Sequence, residues 1–112
     1  MLGNRLLGCH NHNAQQTKQT TYNSASPTSP TVVDSATPYV GGVGRIHCVV
    51  GLGGHDSGSS LYSLGSQPSF QEYQSNSYNG VLNCSLSNNN KTMTCTFVNT
   101  DGEIEHTFVI NR

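Results

Sequence analysis

The sequence has no tryptophan, and only 10% of its residues are charged, for a net charge of −1. Without a basic cluster there is no footprint for a phosphate backbone, which argues against a nucleic-acid partner. No apolar run approaches the roughly 18 residues of a membrane helix, so no membrane partner is expected. No h-region follows the first five residues, so the opening does not read as a signal peptide. Hydrophobic residues make up 33% of the 112, enough for one thin core and a single small domain. The glycines at 51, 53 and 54 lack the Gly-Lys-Ser/Thr ending of a nucleotide loop and read as a tight turn.

What the chain does have is serine, threonine and asparagine, together about a third of it. That composition favours loops and exposed β surface. Asn83-Cys84-Ser85 and Asn90-Lys91-Thr92 are glycosylation sequons. Four cysteines in a short polar chain fit an oxidising compartment. Together these features point to a secreted, extracellular glycoprotein, and the simplest reconciliation with the opening residues is the C-terminal piece of a longer secreted chain.

The last third carries the clearest pattern. Leu82, Cys84 and Leu86 alternate with polar residues, as do Met93, Cys95 and Phe97. A two-residue turn at Asn89-Asn90 sets Leu86 opposite Met93, Cys84 opposite Cys95 and Leu82 opposite Phe97. All six then share one face, and a one-residue slip would lose that agreement. Asp101-Gly102 is a second hairpin turn, placing His106, Phe108 and Ile110 opposite Phe97, Cys95 and Met93. The spacing predicts a three-stranded antiparallel meander over 81–111. It predicts a Cys84–Cys95 disulfide, since cross-strand partners lie within the span of that bond. Asn83 falls on the polar face and Asn90 at a turn tip, both open to a glycan. Cys9 and Cys48 pair only if the strands that carry them are neighbours.

Elsewhere, Ile46-His47-Cys48-Val49-Val50 is nearly continuous in apolar residues, as in a strand covered on both faces, with His47 packed among them. Residues 18–38 hold a Ser/Thr/Pro tract and read as an extended exposed loop. Residues 59–80 read as irregular, with a short helical turn near Phe70 to Gln74. Tyr62, Phe70, Tyr73 and Tyr78 are expected to cover the edge of the core. His55 reads as an exposed loop residue. The fold class is mainly β, an antiparallel meander plus strands.

Near the start, Leu6-Leu7-Gly8-Cys9 leads into His10-Asn11-His12-Asn13. If a strand ends here, alternation sends both imidazoles to one side. Neutral imidazoles suit zinc, iron or nickel, but a His-x-His pair alone completes no site, since a catalytic zinc already needs about three protein ligands. The stretch His10, His12, Asn13 and Thr17 resembles the last metal-binding motif of the purple acid phosphatase branch of the calcineurin-like metallophosphoesterases. Cys9 departs from it, where glycine is usual. Ala14 and Gln16 depart where an aromatic and an arginine are common. The strand and glycines at 46–53 resemble the segment that follows this motif. Tyr78-Asn79-Gly80, Asn90-Lys91-Thr92, Asp101-Gly102 and Thr107-Phe108-Val109-Ile110 resemble the family's C-terminal end. His106 departs there, where an acidic residue is common. Residues 18–38 and 55–77 carry little of the likeness.

The resemblance implies that this is the C-terminal piece of an α/β metallophosphoesterase sandwich: residues 1–17 a strand end and metal loop, 18–38 a variable loop, 39–112 a β-rich remainder. It implies that His10 and His12 are ligands of a dinuclear centre, iron with zinc, manganese or a second iron, acting on a phosphate ester. The other ligands of that centre, aspartates, a tyrosine, an asparagine and a further histidine, are not matched. Asp34, Asp56 and Asp101 lie after the histidines and fit none of the earlier motifs. The chain alone is therefore expected to be inactive as an acid phosphatase. One alternative is a non-enzymatic extracellular module that assembles or binds through its sheet, with unpaired strand edges promoting self-association. A small histidine metal-binding protein is another.

Overall fold

The computed structural model describes residues 5–8 (as backbone), 12–53 and 67–112. Among the described residues it holds ten strands and no helix. The strands are β1 (Arg5–Gly8), β2 (Ala14–Thr17), β3 (Gln19–Thr21), β4 (Thr31–Asp34), β5 (Tyr39–Val40), β6 (Ile46–Val50), β7 (Gln71–Ser75), β8 (Gly80–Ser87), β9 (Thr92–Asn99) and β10 (Ile104–Asn111). The fold is mainly β. One four-stranded sheet runs β1-β6-β2-β7, a second runs β5-β10-β9-β8, and β3 and β4 form a small ribbon. β1 pairs with β6 in parallel, as β5 does with β10; the other pairs are antiparallel.

The core lies between the two larger sheets. Ala14, Ile46 and Cys48 face it from the first sheet, with Leu52 just past β6. Tyr39, Met93, Cys95, Phe97, Phe108 and Ile110 face it from the second. The alternation in β9 and β10 produces this directly, because every second residue of a strand points to one face. β6 differs from the two-sided burial expected of it. Ile46 and Cys48 are buried, Val49 and Val50 half-buried, and His47 is exposed. The reason is that the sheet has only one packed face among the described residues, so position 47 looks outward. The His47 amide donates to Thr17 Oγ1 at 3.0 Å, which continues the β2–β6 contact past the end of its ladder.

Both predicted hairpins form in the predicted register. Leu82 faces Phe97, Cys84 faces Cys95 and Leu86 faces Met93. Asn89 and Asn90 have φ of 54° and 64°, and the Lys91 amide donates to Asn88 O at 3.1 Å. These are the positive dihedrals that a two-residue hairpin turn requires. In the next hairpin, His106 faces Phe97, Phe108 faces Cys95 and Ile110 faces Met93. The turn there is one residue longer than expected. Gly102, at φ 83°, closes a loop of Thr100, Asp101 and Gly102, with the Asn99 amide donating to Glu103 O at 2.9 Å. A bulge between Ile104 and His106 then absorbs the extra residue and restores the alternation.

Two stretches expected to be irregular contain strands. Within 18–38, β3 and β4 pair, and the Ser/Pro tract between them makes turns through Ser26 N to Asn23 O and Ser29 N to Ser26 O. Instead of a helical turn near Phe70, the chain forms β7 beside β2. β7 buries only Gln71 fully; its side chain donates to Tyr73 O at 2.9 Å and Gln15 Oε1 at 3.3 Å. Tyr73 and Tyr78 pack against the core edge as expected. Tyr62 and His55 lie outside the described residues. Gly80 admits no side chain, since a Cβ there would run into the Val98 carbonyl of the neighbouring strand.

Candidate functional site

β1 and β6 are parallel, with Gly8 beside Val49, so their carboxyl ends lie at one end of the sheet. β2 starts from that same end, with Ala14 beside Val50. The histidine segment connects β1 to β2. His10 and Cys9 lie outside the described residues. His12 is half-buried and Asn13 is buried. The Asn13 carbonyl accepts from the Gly51 amide at 2.9 Å, and its side-chain oxygen accepts from Gln15 Nε2 at 3.0 Å. Asn13, which follows His12, is thus anchored to the glycine turn after β6. The carboxyl end of parallel strands is where open α/β sheets place their ligands. Cys48 lies on β6 beside β1, with Leu7 as its partner there; Cys9 lies outside the described residues.

The described residues around His12 do not by themselves make a metal centre. Among the described residues, no group of three or more His, Cys, Asp or Glu side chains could hold a metal ion. Asp34 is at the end of β4 and Asp101 at the β9–β10 tip; neither joins His12 in such a group, and Asp56 lies outside the described residues. The described chain does not fit a dinuclear centre, and no chemical step follows from one here.

The most organised polar site lies between the sheets. Gln16 on β2 is fully buried. Its amide nitrogen donates to Thr17 O at 2.7 Å and to the Tyr39 hydroxyl at 3.1 Å. Its Oε1 lies 2.6 Å from Nε2 of His106 on β10. Since both Gln16 hydrogens are committed elsewhere, Oε1 accepts and His106 Nε2 carries the proton. The His106 ring stacks on Tyr73, centroids 4.1 Å apart and planes within 1°, and the Tyr73 and Tyr78 hydroxyls meet at 3.0 Å. Burial lowers the His106 pKa below its ordinary value. Burial raises that of Tyr39, which the Gln16 hydrogen bond partly offsets. Burial, then the Tyr73 hydrogen bond, pushes the Tyr78 phenol well above its usual range. The network is neutral and holds β2 and β7 against β5 and β10. Sequence reasoning flagged Gln16 and His106 separately and missed that they touch. The available signal was that both positions depart from the resembled pattern, one where an arginine is common and the other where an acid is.

The Cys84–Cys95 disulfide is formed, with Cα atoms 4.1 Å apart. Asn83 and Asn90 are exposed, on β8 and in the β8–β9 turn. No helix among the described residues is long and apolar enough to cross a membrane. No family model, curated protein or solved structure matches the chain.

Proposed function

We propose that the chain is the C-terminal part of a secreted, glycosylated, metal-dependent acid phosphatase of the purple acid phosphatase branch. In this reading, His10 and His12 are ligands of a dinuclear iron, zinc or manganese centre whose other ligands lie outside these 112 residues, and the parent hydrolyses a phosphate ester. The observation that carries it is the contact between Gln16 and His106. These are two positions where the resembled pattern commonly has an arginine and an acid. A buried arginine needs an anionic partner at hydrogen-bond distance, and these positions stand 2.6 Å apart at their polar atoms. A neutral glutamine–histidine pair in place of an ion pair is what paired loss of both charges would leave, and it makes the two departures one. The placement of His12 at the carboxyl end of β1 and β6 agrees with this reading, as do the two exposed sequons.

The gene upstream of Met1 tests it. The expected result is an in-frame sequence carrying Gly-Asp and Gly-Asn-His-Glu motifs, the aspartate, asparagine and histidine donors missing here. An upstream region with stop codons and neither motif overturns the phosphatase parent and leaves the non-enzymatic extracellular module. The length and lack of charge of β8 favour that second reading.

A further inference from the structure

We infer that β8 is a self-pairing edge, through which two copies of this chain join their β5-β10-β9-β8 sheets into one continuous sheet. The inference rests on β8 alone and stands whichever functional reading holds. Among the described residues, β8 is the outer strand of its sheet, eight residues long. Sheet edges are ordinarily protected by shortness, charge or proline. β5, at the opposite edge, is two residues long, and β7 carries Glu72. From Val81 onward β8 has none of these protections: Tyr78 to Asn90 contains no charged residue and no proline, and only the amide of Gly80, at its start, is taken, by Leu52 O at 3.1 Å among the described residues.

The backbone of β8 is poised for pairing. The 4.1 Å Cα separation of Cys84 and Cys95 marks the close, non-hydrogen-bonded type of antiparallel pair. The amides and carbonyls of Cys84, and by alternation those of Leu82 and Leu86, therefore point away from β9, out of the edge. The side chains specify the partner. Leu82-Asn83-Cys84-Ser85-Leu86 reads symmetrically about Cys84, apolar, polar, apolar, polar, apolar. Two copies related by a two-fold axis at Cys84 set Leu82 of each opposite Leu86 of the other. That is the self-complementarity an isologous interface requires. Leu86 is 54% exposed, and its partner Met93 lies on the core face of β9. Cross-strand contact with Leu82 of the second copy would give it an apolar neighbour. No other pairing of β8 with itself centres the two leucines on each other, so the register is specified.

Sedimentation of the full chain, made in a host that adds no glycan, tests the proposal. The expected result is a reversible dimer whose fraction rises with concentration, and a dissociation constant about tenfold weaker for Leu86→Lys, since each dimer contains the altered pair twice. Adding Leu82→Glu to Leu86→Lys should restore the dimer, because the new carboxylate of one copy then faces the new ammonium of the other. Amide exchange on the unaltered chain gives a readout free of substitution effects: the amides of Leu82, Cys84 and Leu86 should be protected at high concentration and lose protection on dilution. A monomer at all concentrations, a dimer unaffected by Leu86→Lys, or edge amides that exchange freely in the dimer would each overturn the proposal.

Discussion

His106 shows how one residue joins burial, polarity and pH. Its neighbours Gln16, Tyr73 and Phe97 are uncharged, and none of them repays the cost of charging the ring. Its folded pKa lies below the unfolded value of about 6.5. Above that value the group is neutral in both states and contributes no pH dependence. As pH falls through about 6.5 towards the lowered folded value, the unfolded chain binds more protons and stability drops. Urea midpoints at neutral and mildly acidic pH should show the loss, and His106→Gln should flatten it relative to the unaltered chain; an identical slope in both would show that His106 is not the group responsible. Installing an ion pair is a sharper probe. Gln16→Arg or His106→Glu alone buries an uncompensated charge, at a cost of roughly 3–5 kcal/mol. Together they should cost less than the sum by about 1–3 kcal/mol. Additive losses in urea titrations would remove the contact as support for the phosphatase parent.

At the level of elements, legibility followed the kind of interaction that holds each strand. β8, β9 and β10 were readable because apolar residues alternate in them and Asn-Asn and Asp-Gly mark the turns. Even the one error, a loop lengthened by Gly102, left the pairing intact because the bulge before His106 compensates. β2, β3 and β7 were not readable. Apart from Ala14, their buried residues are Gln16, Gln19, Thr20 and Gln71, which make hydrogen bonds to partners distant in sequence, and no local period reveals these. The disulfide belongs to the readable group. Non-reducing peptide mapping should recover Cys84 linked to Cys95; linkage of Cys84 to Cys9 or Cys48 would contradict the hairpin register. It closes a short loop, so its loss should cost about 2–3 kcal/mol in the chain-entropy model. Thermal unfolding of a Cys84→Ala, Cys95→Ala double variant measures that cost, and an unchanged midpoint would mean that the β8–β9 turn alone fixes the hairpin.

For the molecule as a whole, the sheets and the candidate site make different demands. The sheets close around a core contributed by both, tied across by Gln16 and His106, so the fold is served by residues within the chain. Hydrolysis of a phosphate ester by two metals needs a set of oxygen and nitrogen donors that bind both ions and leave room for water and substrate. His10 and His12 stood out as candidate ligands because their spacing and flanking residues resemble a motif. The rest of a donor set was not legible, and among the described residues no group of three donors assembles around His12. The chain incubated with iron, zinc or manganese and a chromogenic phosphomonoester should therefore give no turnover above the same metal without protein. His12→Ala should leave that baseline unchanged. Metal-dependent turnover lost in both His10→Ala and His12→Ala would mean that the 112 residues complete a centre by themselves, and would overturn the view that the catalytic donors lie elsewhere in a parent protein.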